Sequence, residues 1–184
     1  MVVDQKYIED HYDEMVKSIK DGLIFIYPTD TIYGIGCNAY HKESVAKIRR
    51  LKQRELKPFS IIAPHMEWID EFCMIKAGAE IHLAKLPGPY TLIMRLRDEN
   101  KIPEEVNPLG NGTIGVRMPH HWFAKLITQV GVPFITTSVN ISGMPYMTSL
   151  ETLDETIKNN VDFIIYEGEN SGKESTKIDL THLV

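Results

Sequence analysis

Cysteine is scarce: Cys37 and Cys73 are the only two in 184 residues, and no C-x-x-C pair occurs. Such usage supports neither a structural zinc site nor a disulfide framework, so reduced thiols in a cytoplasmic protein are expected. Long apolar runs are missing as well. No stretch approaches the ~20 residues needed to span a bilayer, and the charged start MVVDQKYIEDHYDEM lacks the apolar core of a signal peptide, so no membrane role is expected. Nor is there an excess of positive charge. A net charge of −5 argues against a strongly electrostatic nucleic-acid binder, while leaving room for a local basic patch. None of the seven histidines forms a pair at metal-ligand spacing, and His120-His121 read as a helix cap and surface. The tail GENSGKEST invites comparison with a Walker A loop. However, Gly168 to Gly172 is one residue short and Glu174 intrudes before Ser175. No Ser-His-Asp or Cys-His arrangement can be singled out.

What is present is an ordinary globular composition, 43% hydrophobic and 24% charged, in a length that fits a single domain over residues 1–184. Ile8, Tyr12, Met15 and Ile19 trace the stripe of an amphipathic helix. LIFIY (23–27) suits a buried strand, and Glu43 to about Arg54 a helix with Val45, Ile48 and Leu51 inward. Further strands are expected at FSIIA (59–63), TLIMRL (91–96), TIGVRMP (113–119), VPFITTS (132–138), DFIIYEG (162–168) and TKIDL (176–180). Two short helices are expected over 66–86, one opening at Pro119 and one near 150–159. The alternation implies an α/β layered fold with a twisted, mostly buried sheet. TLIMRL and TIGVRMP, with no helix between them, imply some antiparallel pairing.

Polar loops at strand ends are where open α/β sheets place ligands. YPTDTIYGIGCNAY (27–40) is too polar for a core and too aromatic for a plain turn. In KQR (52–54), the helical period sets Lys52 on the face of Val45 and Ile48, at a pocket rim. Lys52 and Arg54 either grip phosphates or a carboxylate, or merely complement the dipole of their helix. Arg117 shares a strand face with Thr113 and Gly115, and either points to solvent or anchors an anion in a cleft. TTSVNISG (136–143) packs small hydrogen-bonding side chains at a strand end, as a cradle for a nucleotide or amino acid or as a self-capping turn.

Six segments in order resemble the YrdC/YciO family, which includes threonylcarbamoyl-AMP synthase: YPTDTIYGIGCNA, LKQR, LPGPYTLIM, GVRMP, TTSVNISG and STKIDL. They run from Tyr27 to Leu180. The resemblance implies a twisted open mixed parallel/antiparallel sheet, flanked by helices, with a concave basic face. It implies a nucleotidyltransferase that converts L-threonine, bicarbonate and ATP, with Mg²⁺, to threonylcarbamoyl-adenylate and pyrophosphate. Downstream tRNA threonylcarbamoyl-transferase machinery would then pass the group to a tRNA adenosine. Carried over motif by motif, Lys52 and Arg54 would be catalytic and contact the ATP phosphates, and Thr113, Ser138 and Asn140 would complete the nucleotide site. Thr31, Arg117, Thr136 and Ser175 would surround threonine. An alternative is a YciO-like member that binds nucleotide, tRNA or double-stranded RNA on the same face without synthase activity. ELKPFSIIA leans toward that branch, with Ile62 where synthases often carry a polar group, and Val139 stands where the family usually has alanine.

Overall fold

The computed structural model describes residues 1–183. In chain order the elements are β1 (Val2–Val3), α1 (Gln5–Asp10), α2 (Tyr12–Lys20), β2 (Phe25–Tyr27), β3 (Gly34–Gly36), α3 (Lys42–Leu51) and β4 (Ser60–Ile62). Then follow α4 (Met66–Phe72), α5 (Glu80–Leu83), β5 (Tyr90–Arg95), β6 (Thr113–Arg117) and α6 (Trp122–Val130). The chain closes with β7 (Phe134–Ser138), α7 (Glu155–Lys158), β8 (Phe163–Ile165) and β9 (Thr176–Asp179). The strands form one mixed sheet in the order β1-β8-β2-β3-β7-β4-β6-β5-β9. β5 and β6 pair antiparallel, as expected, with only a 3₁₀ turn at Glu99–Lys101 between them, whereas β4–β6 and β5–β9 are parallel. No helix among the described residues is long and apolar enough to cross a membrane.

Strand alternation divides the core in two. On one face Ile26, Ile35, Ile61, Leu92, Val116 and Ile135 pack with residues of α3, α4, α5 and α7. On the other, Phe25, Tyr27, Ile62, Phe134 and Phe163 meet Ile8, Met15 and Ile19 of α1 and α2 and Phe123, Leu126 and Ile127 of α6. Ile62 is therefore a core residue on this second face, buried among aromatics. These three helices cover only part of that face. Beyond them the strands switch to small and polar residues: Phe134 gives way to Thr136 along β7, and Ser60 precedes Ile62 along β4. Register aligns Ser60 with both Gly115 and Thr136. That row of small side chains leaves the open part of the face concave.

Three expected elements differ in detail, and two strands, β1 and β3, were not expected. The stripe over 8–19 is two helices, interrupted at His11. The segment near 150–159 is a 3₁₀ turn followed by the short α7. α6 opens at Trp122, not Pro119, because His121 takes the N-cap position and accepts a hydrogen bond from Phe123 N–H. Within YPTDTIYGIGCNAY lies a strand, β3, hidden by its glycines. A Cβ on Gly36 would stand 1.8 Å from the carbonyl oxygen of Ile135, and one on Gly34 would stand 2.8 Å from the Tyr27 ring. Only glycine lets β3 lie this close to its neighbours.

Candidate functional site

The concave end of the sheet forms a cleft of about 230 Å³ whose walls come from all the polar loops. Its cations are Lys52, Arg54, Lys57, Arg117 and Lys177, and the one acid among the lining residues is Glu174. Ser60, Thr91, Thr136, Ser138 and Ser175 supply hydroxyls. Charge in a chain of net −5 is thus concentrated by folding.

Lys52 is not in the helix but caps it, following Leu51 at the end of α3. It is only 1% exposed. Its ammonium donates to Asn140 O at 2.8 Å, to Asn140 Oδ1 at 2.9 Å and to the carbonyl of Ser138. Burial, followed by the charge of Arg54, pushes this ammonium down to about 7. Ser138 Oγ donates to Asn140 Oδ1 at 2.7 Å, and Asn140 Nδ2 donates to Met144 O at 2.6 Å. The TTSVN loop is thus both self-capped and part of the cleft wall, and Lys52 holds it there.

Arg54 lies over the Phe59 ring at 4.9 Å and donates to Lys57 O at 3.0 Å and Thr137 Oγ1 at 3.2 Å, as well as to Pro58 O. Burial, then Arg49, pushes its guanidinium down to about 10. Arg49 also lies over the Phe59 ring, 4.4 Å from its centroid, and was not singled out by the sequence. It donates to the carbonyls of Arg54 at 2.9 Å, Glu55 at 3.1 Å, Lys57 at 3.1 Å and Glu105 at 2.7 Å. It fastens the turn that presents Arg54 and Lys57.

Arg117 faces inward, which decides between the two orientations open to it. Nη2 donates to Asp30 Oδ1 at 3.0 Å and to Thr31 Oγ1 at 3.0 Å, and Nε is buried with no partner. Burial pulls its pKa down, against the opposing charge of Asp30. Asp30 also accepts from His120 N–H at 2.9 Å, so it orients Arg117 and ties β6's exit to the loop. Thr31 Oγ1 lies 2.9 Å from Thr29 Oγ1, which donates onward to Ile32 O at 2.7 Å. Thr31 thus supports Arg117 from behind; Ile32, Tyr33 and Gly34 form the wall in front. Tyr33 is also a tether: its hydroxyl donates to Gly168 O at 2.7 Å and accepts from Glu167 N–H at 3.0 Å. That tether, with Tyr146 donating to Gly172 O at 3.0 Å, draws the 167–175 loop over the cleft mouth. Ser175 Oγ lies 2.7 Å from Thr91 Oγ1.

Of the residues expected at the site, Lys52, Arg54, Ser138, Asn140, Arg117, Thr136 and Ser175 come together in the cleft, and Thr31 lies immediately behind. Thr113 does not join them. Two residues before Gly115 on β6, it lines a separate pocket and its hydroxyl donates to Asn111 Oδ1 at 2.8 Å. Ser60, Thr91, Lys57 and Lys177 were missed. Strand alternation with Arg117 could have found Ser60 and Thr91, had the register been known.

A mixed sheet whose uncovered end is a cationic, hydroxyl-lined cleft with a buried arginine defines an α/β protein built to hold small anions. The Sua5_yciO_yrdC family model, described as "Telomere recombination", matches residues 17–183, and the chain belongs to this family. Threonylcarbamoyl-AMP synthase of Vibrio campbellii is 30% identical over 169 residues, covering 89% of each protein. Threonylcarbamoyl-AMP synthase of Pyrococcus abyssi is 37% identical over 169 residues, covering 89% of this chain and 48% of the relative. P. abyssi Sua5 complexed with L-threonine superposes with a TM-score of 0.83 at 31% identity, over 98% of this chain and 54% of that one. E. coli YciO superposes with a TM-score of 0.80 at 25% identity, over 98% of this chain and 88% of that one. The chain therefore spans about half of the Pyrococcus protein and most of YciO.

Proposed function

We propose that the protein is a cytoplasmic threonylcarbamoyl-AMP synthase, condensing L-threonine, bicarbonate and ATP with release of pyrophosphate. The observation that carries this reading is the pairing, in one cleft, of two separate anion sites: Lys52 with Arg54, and the inward-facing Arg117 with its unpartnered Nε. Relatives named threonylcarbamoyl-AMP synthase, one matched over 89% of its length, support it.

In this reading Arg117 takes the threonine carboxylate, with Thr136, Ser175 and the backing Thr31 around the amino acid. Arg54, Lys57 and the charge of Lys52 hold the phosphates, and Ser138 and Asn140 flank the nucleotide. Threonine carboxylated on its amine attacks the α-phosphorus; a P–O bond forms to the carbamate oxygen as the bond to the bridging oxygen breaks and pyrophosphate leaves. The reactants are both anions, so positioning and fixed cations are the catalysis that is needed, without a nucleophilic side chain. Mg²⁺ fits this donor set as an ion carried by the phosphates. Among the described residues no group of three or more His, Cys, Asp or Glu is placed to hold a metal, and the cleft offers one carboxylate. When bound, the ion neutralises phosphate charge. The product would pass to machinery that modifies tRNA.

Incubation with ATP, bicarbonate and Mg²⁺, with and without L-threonine, should give threonine-dependent pyrophosphate, and Arg54→Ala should abolish it in a protein that still melts cooperatively. Threonine-independent or absent pyrophosphate from folded protein rejects the synthase reading. The near-complete coverage of E. coli YciO favours a second reading, a non-synthase member that binds nucleotide or RNA on the same face. Salt-sensitive RNA binding without turnover would mark it.

A further inference from the structure

The cleft is built for anions, yet it holds one carboxylate. Glu174 is exposed and has no ion-pair or hydrogen-bond partner among the described residues, although five cations line the same cleft. Its charge is felt by Lys52 and Arg54, where it works against the depression caused by burial. A carboxylate serving only to neutralise these cations would close onto one of them. One left apart, at the rim of a phosphate site, does two things to an incoming nucleotide. It repels free ATP, and it offers an oxygen ligand to a divalent cation that the phosphates already hold. Mg²⁺ is commonly bound in this way, by one or two carboxylates together with substrate phosphates and water. The absence of any three-ligand cluster among the described residues means that the protein alone has too few donors for the ion.

We propose that Glu174 is a specificity-determining residue that makes the cleft select the metal-charged nucleotide over the free one, by ligating the cation on the phosphates. The inference rests on the nucleotide-binding reading above and names the form of nucleotide taken. It also gives the residue that interrupts the Walker-like tail a purpose: GENSGKEST delivers a carboxylate to the phosphates, not a lysine.

Calorimetric titration of ATP into the intact chain, once with MgCl₂ and once with EDTA, tests it without any turnover. The wild-type protein should bind ATP about tenfold more tightly with Mg²⁺, a difference of about 1.4 kcal/mol. In Glu174→Gln the ratio should fall to about twofold, chiefly because affinity for the Mg²⁺-charged nucleotide falls as an oxygen ligand to the cation is lost; a ratio that falls only because metal-free ATP binds more tightly would make Glu174 a repulsive charge and overturn the ligation. Glu174→Asp, which keeps the charge, should restore part of the preference. An unchanged Mg²⁺ ratio in Glu174→Gln overturns the proposal. If the wild-type chain binds ATP in neither buffer, the nucleotide-binding reading itself fails. Because Glu174 is exposed and unpaired, its substitution leaves no buried group unsatisfied, and the melting temperature should not move.

Discussion

Lys52 shows how one side chain serves the fold and the site together. Its ammonium is buried, yet its acceptors are the oxygens of Ser138 and Asn140, with no carboxylate in contact. Desolvation is therefore only partly offset, and the group titrates near pH 7. Below that value it is an ammonium that favours phosphate; above it the charge is lost while two donors remain to hold the loop. ATP affinity should accordingly weaken as pH rises from 6 to 9, by roughly three- to tenfold, and the pH dependence should flatten in Lys52→Met. Comparing the two proteins cancels the titration of the nucleotide itself. A wild-type profile parallel to that of Lys52→Met would remove Lys52 from the phosphate site. Asp30 is settled by structure in the same way. The sequence of its loop names no partner for it, and it meets Arg117 and the His120 N–H.

At the level of elements, the end of α3 places the phosphate cations. Arg54 N–H donates to Arg49 O and Gln53 N–H to Arg50 O, each at 3.0 Å, which is the paired closure of a helix ending in a left-handed residue. Gln53 takes that conformation at φ +48°, where glycine is usual. Chain direction reverses there, and Arg49 then gathers the carbonyls of the following turn. Arg49→Ala should therefore weaken ATP binding about tenfold although Arg49 does not line the cleft, and Arg49→Lys should recover little of it, since a point charge cannot bridge several carbonyls as the fork does. A KM rise with kcat preserved is expected for a positioning residue; unchanged KM would confine Arg49 to stability. A helical period could not reveal this role, because Arg49's partners are carbonyls of a turn that has no sequence signature of its own.

For the whole molecule, the relevant quantity is the contrast between a net charge of −5 and five cations around one cleft. The average repels polyanions weakly, and the local field attracts a small one. Raising salt from about 0.05 to 0.5 M should weaken ATP binding by roughly tenfold while shifting the melting temperature little, because the core is apolar and screening acts chiefly on the exposed charges. A melting temperature falling in step with affinity would mean that the cations hold the fold together rather than hold a ligand. The cleft itself exists because α1, α2 and α6 stop short of the row of small residues, Ser60, Gly115 and Thr136, across β4, β6 and β7.

Period and composition determined most of the elements, since burial demands apolar residues at intervals set by backbone geometry, and this holds for α3, β5, β6 and β7 alike. The antiparallel β5–β6 pair was legible for the same reason, whereas the inward direction of Arg117 was not, since alternation groups it with Thr113 and Gly115 without saying which face the cleft takes. β3 was not, because glycines carry no period, and its place depends on the Tyr27 ring and the β7 backbone beside it. Nor was the exclusion of Thr113, which shares a strand face with Arg117 but sits too far along β6 to reach the cleft. Sequence specifies which face a side chain takes; only register across β4, β6 and β7 decides which residues on that face meet. The union of Lys52, Arg54, Arg117 and Glu174 is of that second kind, a product of long-range strand order that no local pattern encodes.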